Sequence, residues 1–76
     1  MTMEDAKVLQ NMNFPILLYR AYDAKHEDKG ISWSNNYDFI EAYATRHNLW
    51  IKERKFERNE IFAYISRRGE DEFIIL

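Results

Sequence analysis

The chain has 76 residues, with 11 basic and 13 acidic side chains and no cysteine. This length predicts one small domain over residues 1–76, and the net charge of −2 argues against a general nucleic-acid binder, which would carry a strongly basic face. The lack of cysteine excludes a disulfide framework and a cysteine-based zinc site. No stretch approaches the roughly 20 apolar residues of a membrane span, and the start lacks the basic residues of a signal peptide. We therefore expect a cytoplasmic protein.

The first half of the chain predicts one helix and two strands. Thr2 precedes two acidic residues, a pattern typical of a helix start, and this helix must end before Pro15 because a proline disfavours helical geometry in the residue ahead of it. The run Ile-Leu-Leu-Tyr-Arg-Ala-Tyr predicts a strand with one charge, Arg20. A charged loop and Gly30 then lead into a short second strand at residues 31–34.

The second helix is predicted over residues 37–47. Residues 34–36, Ser-Asn-Asn, offer three consecutive residues that favour a helix N-cap. The apolar face of this helix would consist of Tyr37, Ile40, Tyr43 and Ala44.

Three further strands complete the predicted fold. Residues 49–56 become charged along their length, which suits an edge strand, and residues 60–65 form an apolar strand. The last strand runs through Phe-Ile-Ile-Leu, a composition typical of burial on both faces. The order α-β-β-α-β-β-β predicts an α+β domain with two helices and a small mixed or antiparallel sheet.

Two glutamates, Glu70 and Glu72, open the last strand. Residues two apart share one face of a strand, so both carboxylates would point the same way at the start of a buried element. Taken alone, a solvated acidic stretch beside Arg67 and Arg68 would also explain them.

Three motifs occur in a fixed order: Arg20 on the first strand, a Ser-x-Ser pair at Ser32 and Ser34, and then the Glu-x-Glu pair. This set resembles the ADP-ribosyltransferase family, in the branch whose signature is Arg, then Ser-Thr-Ser, then Glu-x-Glu. The Gly-Ile-Ser-Trp-Ser stretch of residues 30–34, followed by a helix that carries Ala-Tyr-Ala, is similar to small phage and bacterial members. The resemblance covers about residues 17–76 and implies a minimal ADP-ribosyltransferase half-fold.

The resemblance also implies a chemistry, with NAD as the donor substrate. Glu72 would be catalytic and would offset the positive charge that develops on the ribose as its bond to nicotinamide breaks. Glu70 would orient or deprotonate the acceptor. Arg20 would contact the phosphates of NAD, and Ser32 would hold the nicotinamide ribose and support Glu72 by a hydrogen bond.

The resemblance also implies that an aromatic residue of the second helix stacks near the nicotinamide. Tyr43 is the first candidate and Tyr37 the second, although aromatics at these spacings are also common in a core. Ser34 also suits a helix cap, and Arg20 also suits a surface ion pair. His26 and His47 lack partners at ligand spacing, so no metal is predicted.

Two functions stay open. The first is a minimal ADP-ribosyltransferase, encoded by a phage or mobile element, that modifies a bacterial host protein with NAD. Because the chain is shorter than the family's usual members, the second is a catalytically silent relative that inhibits a host enzyme or defence complex, of the anti-CRISPR or host-takeover type. Large aromatic side chains dominate interface hot spots, which suits the second function. An open edge strand also leaves homodimerisation as an option.

Overall fold

A computed structural model describes residues 2–23, 32–66 and 71–76. The elements are α1 (Met3–Gln10), β1 (Ile16–Tyr22), β2 (Ser32–Ser34), α2 (Tyr37–His47), β3 (Trp50–Phe56), β4 (Ile61–Ile65) and β5 (Glu72–Ile75). One 3₁₀ turn, Arg58–Glu60, joins β3 to β4. The predicted α+β class, with two helices and a small sheet, is confirmed. In the described part of the chain, neither helix is long and apolar enough to cross a bilayer.

Side-chain hydrogen bonds begin both helices. The backbone N–H of Asp5 donates to Thr2 Oγ1 at 3.0 Å, so Thr2 is the N-cap of α1, as predicted. The N-cap of α2 is Asn36, whose Oδ1 accepts from the backbone N–H of Phe39 at 3.1 Å. Ser34 lies earlier, and its Oγ accepts from the backbone N–H of Asn36 at 3.0 Å. Ser34 therefore shapes the turn ahead of α2 and does not cap the helix.

All five strands form one antiparallel sheet in the order β3-β1-β2-β5-β4. The edge position predicted for residues 49–56 is thus confirmed. Tyr19 lies opposite Ser34, Ser34 lies opposite Glu72, and Arg20 lies opposite Lys52. Because successive side chains of a strand alternate between faces, Tyr19, Ser34 and Glu72 share one face. Arg20 and Lys52 lie on the other.

The helices cover opposite faces of this sheet. Leu9 of α1 joins a core made of Leu9, Leu18, Trp33, Phe56, Ile61, Tyr64 and Phe73. On the other side, the ring of Tyr37 in α2 lies 5.0 Å from the ring of Tyr19. We call these the α1 face and the α2 face.

The α2 face is less completely covered than the sequence suggests. Of the four residues predicted for the apolar side of α2, Ile40 and Ala44 are buried, whereas Tyr37 and Tyr43 are each 43% exposed. In β5, Phe73 is buried and the other three residues are half-buried. Because α2 lies mainly over β1 and β3, Glu72 and Ile74 on the α2 face of β5 are left partly uncovered. The expectation that the last strand is fully buried on both faces is therefore wrong.

Candidate functional site

Ser32 and Glu72 meet on the α2 face, where β2 lies beside β5. The direct cross-strand partner of Glu72 is Ser34, so Ser32 approaches the carboxylate diagonally. Ser32 Oγ donates a hydrogen bond to Glu72 Oε2 at 2.5 Å, a length typical of a hydroxyl that donates to a carboxylate. The hydrogen bond implied by the resemblance is thus present. The roles of both residues toward NAD stay predictions.

A small cavity opens at this pair. Its lining consists of Ser32, Trp33, Ser34, Phe39, Ile40 and Glu72. The cavity volume is about 60 Å³, whereas sites for small molecules usually measure about 300–1,000 Å³. This volume has room for a few water molecules or for one polar group of a ligand. The cavity that these six residues line is therefore too small to enclose a dinucleotide.

The wall of the cavity comes from α2. Phe39 lines it, the Tyr43 ring lies 6.4 Å from the Phe39 ring, and the His47 ring lies 4.4 Å from the Tyr43 ring. Residues four apart lie on one side of a helix, so these three rings form a row that leads away from the cavity. Sequence reasoning missed Phe39. Its spacing of four residues from Tyr43 was the available signal.

The two tyrosines predicted to stack on nicotinamide do not line this cavity. Tyr37 contacts the ring of Tyr19 edge-on, at an interplanar angle of 66°. The negative charge of Glu41 is the main cause that raises the pKa of Tyr37, together with partial desolvation. Tyr37 therefore keeps its phenolic proton at neutral pH. Tyr43 reaches the cavity only through its contact with Phe39.

Arg20 is not brought together with Ser32 and Glu72. It follows Tyr19 by one residue, so strand alternation turns it to the α1 face, whereas the serine and the glutamate lie on the α2 face. Arg20 is only 8% exposed there. The structure thus places a sheet between the arginine and the other two members of the predicted set.

The second predicted catalytic carboxylate, Glu70, lies outside the described residues, as does His26. Asp71, which is described, has a positive φ of 49° and accepts a hydrogen bond from Tyr64 Oη at 2.6 Å. Burial is the main cause that raises the pKa of Tyr64, and the hydrogen bond to Asp71 is the second. Across the described ranges, no group of three His, Asp or Glu side chains is arranged to hold a metal ion.

A different surface lies on the α1 face at the β3 edge of the sheet. Trp50 is 61% exposed, and its ring contacts the ring of Tyr22 edge-on at 5.6 Å. Lys52 Nζ lies 5.0 Å from the centroid of the Tyr22 ring. We call these three residues the Trp50 cluster. Exposed tryptophan and tyrosine are the side chains most enriched in protein-interface hot spots.

Comparison of the chain with protein-family models, with curated proteins and with solved structures finds no match in any of the three. What bears on function is thus the chemistry of the Ser32–Glu72 pair and of the Trp50 cluster.

Proposed function

We propose that the protein is a small binding module that acts on a bacterial host protein, as an inhibitor of a host enzyme or defence complex. The observation that carries this proposal is the exposed ring of Trp50. Burial of a tryptophan in a partner's pocket provides a large contact area at a low cost in side-chain entropy. The bacterial setting is suggested by the resemblance of residues 30–34 to small phage and bacterial proteins.

The surroundings of Trp50 favour binding because they hold the ring in place before a partner arrives. Tyr22 supports one edge of the indole, and Tyr22 is itself half-buried. Lys52 Nζ lies within cation–π distance of two rings, 5.0 Å from Tyr22 and 5.8 Å from Trp33. A side chain already ordered in the free protein loses less freedom on binding.

Trp50→Ala is the variant that tests this proposal. Tagged wild-type protein would first be used to capture its partner from the bacterial host, and affinity would then be measured with the purified partner. We expect Trp50→Ala to weaken binding by about 2 kcal/mol or more, which is roughly 30-fold in Kd. The fold should be unaffected because the side chain is mostly exposed.

Tyr43→Ala is the matched control for this experiment. Tyr43 is an exposed aromatic residue on the α2 face, so its loss should leave the affinity within about threefold of wild type. Equal affinity of Trp50→Ala and wild type for the captured partner would contradict the proposal, as would the capture of no specific partner.

NAD-dependent ADP-ribosyl transfer is the second candidate, and the 2.5 Å hydrogen bond between Ser32 and Glu72 favours it. A carboxylate held by a hydroxyl is the arrangement that could bind a ribose hydroxyl and offset positive charge on the sugar. Two observations favour the binding module instead. The cavity at Glu72 measures only about 60 Å³, and Arg20 lies on the opposite face.

Thermal unfolding with and without NAD separates the two candidates. A ligand present at 100 times its Kd stabilises a fold by about 2.7 kcal/mol, which raises Tm by roughly 10–20 °C in a domain of this size. For a binding module we expect no change in Tm. The transferase would be established by two results together: NAD raises the Tm of the wild type but not that of Glu72→Gln, and label is transferred from NAD to host proteins.

A further inference from the structure

The side chains of Ser32 and Glu72 present hydrogen-bond acceptors to the cavity that they line. Ser32 Oγ uses its proton in the hydrogen bond to Glu72 Oε2, so the lone pairs of this hydroxyl remain as acceptors. The carboxylate of Glu72 adds further acceptor sites. Of the residues that line the cavity, Glu72 is the one with a charged side chain. The cavity therefore favours a ligand group that donates hydrogen bonds and carries positive charge.

The charge of Glu72 is not balanced by a described residue. Within the described ranges its carboxylate has no ion-pair partner, and Ser32, which it contacts, is neutral. Glu72 is also half-buried. Partial burial strengthens the attraction between a carboxylate and a cation because less water screens it. A bound cation would supply the opposite charge.

The wall of the cavity suits the alkyl part of such a cation. Phe39 is half-buried and Ile40 is buried, so α2 provides an aromatic ring and an aliphatic side chain on one side. An ammonium beside an aromatic ring gains a cation–π attraction, and its methylenes can pack against apolar side chains. The cavity volume of about 60 Å³ has room for one ammonium group.

We propose that this cavity binds a primary alkylammonium group, carried by a lysine side chain of another protein or by a free polyamine. Glu72 pairs with the charge, Ser32 Oγ accepts a second hydrogen bond, and Phe39 covers the alkyl chain. An ammonium is compact and has three N–H donors, which matches this set of acceptors. A phosphate or a carboxylate would be repelled by Glu72. The site lies on the α2 face, so it does not depend on any partner of Trp50 on the α1 face.

Titration with n-butylammonium, followed through the backbone amide signals of isotopically labelled protein, tests the need for charge. At neutral pH and constant ionic strength, the amides of Ser34, Phe39 and Glu72 should shift with a Kd on the order of 1 mM, because so small a ligand gains little free energy. n-Butanol has nearly the same shape without the charge and should bind at least about tenfold more weakly. The indole signal of Trp50 should not move with either ligand. Equal binding of the two ligands, or no binding of either, would overturn the proposal.

Glu72→Gln tests the carboxylate, because it removes the charge and keeps the size of the side chain. It should weaken n-butylammonium binding at least about tenfold. Glu53→Gln is the matched control. Glu53 lies opposite Tyr19 on the same face, but on β3, and is therefore roughly 14 Å from Glu72 across the sheet. Charges at that distance are largely screened, so the Kd should stay within about twofold of wild type. Equal losses in both variants, or none in Glu72→Gln, would contradict the proposal.

Two further ligands distinguish the sources of the ammonium group. An acetylated and amidated lysine represents the side chain of a protein, and spermidine represents a free polyamine. Spermidine that binds at least about tenfold more tightly than the lysine derivative would identify a polyamine as the ligand class. Comparable or weaker binding of spermidine would identify a lysine side chain. Binding of neither ligand would overturn the proposal.

Discussion

Phe73→Ala is expected to remove about 3–5 kcal/mol of stability, a large share of the total for so small a domain. Phe73 is fully buried on β5, with strands on both sides, and its ring lies 4.8 Å from the ring of Tyr64. Loss of the ring leaves a cavity in the core that the surrounding strands cannot fill without moving. A domain of 76 residues has roughly 4–11 kcal/mol in total, so the variant should be partly or wholly unfolded.

Urea denaturation followed by circular dichroism measures this effect. The matched control is Phe62→Ala, which removes the same side chain from a site that is 66% exposed. That variant should stay within about 0.5 kcal/mol of the wild type. If Phe73→Ala and Phe62→Ala lowered the free energy of unfolding by similar amounts, the core would not lie where the structure places it.

Asp5→Ala is expected to detach α1 from the end of β4. Asp5 is only 4% exposed, and its carboxylate accepts two hydrogen bonds from Ser66, one from Oγ at 2.5 Å and one from the backbone N–H at 3.3 Å. These contacts join residues 61 positions apart in the chain. The substitution removes two hydrogen bonds to a charged acceptor, and such bonds are stronger than those between neutral groups.

Thr2→Ala is the control for Asp5→Ala, because it removes the N-cap of the same helix but leaves both bonds to Ser66. Loss of such a cap costs about 1 kcal/mol. In urea denaturation at neutral pH, Asp5→Ala should therefore unfold at a lower denaturant concentration than Thr2→Ala. The opposite order would mean that the contacts between Asp5 and Ser66 contribute little.

The same carboxylate predicts how stability depends on pH. The hydrogen bond from the Ser66 side chain is the main cause that lowers the pKa of Asp5 in the folded protein below its ordinary value of 3.8. A lowered pKa stabilises the fold fully at pH values above the unfolded pKa, and this stabilisation is lost as pH falls through the folded pKa. The stability gap between wild type and Asp5→Asn should therefore be widest near neutral pH and narrow below about pH 4. A gap of constant size from pH 7 to pH 3 would contradict this expectation.

The proposed surfaces lie on separate parts of the sheet, which allows each to be tested alone. The Trp50 cluster lies at the β3 edge on the α1 face, and the Ser32–Glu72 pair lies where β2 meets β5 on the α2 face. Because Trp50 and Glu72 lie on opposite faces, variants at these two residues should affect partner binding and NAD chemistry independently.

Much of the local structure follows from short stretches of the sequence. Thr2 and Pro15 bracket α1 because capping and proline geometry act over a few residues. The α2 range of Tyr37–His47 and the edge position of β3 follow from helical spacing and from the charges on that strand. The Ser32–Glu72 hydrogen bond joins residues 40 positions apart, and the motif resemblance predicts it.

The way in which these elements face one another depends on contacts between distant parts of the chain. Because side chains alternate along a strand, Arg20 and Tyr19 must point to opposite faces. The cross-strand register then determines that Ser34 and Glu72 lie on the same face as Tyr19. The packing of α2 on the sheet buries Ile40 and Ala44 but leaves Tyr43 partly exposed, and Phe39 and Ile40 of α2 line the cavity at Glu72. A sequence motif specifies residue types and their order. The pairing of distant strands and the placement of a helix depend on packing of the whole chain, and these decided which side chains meet.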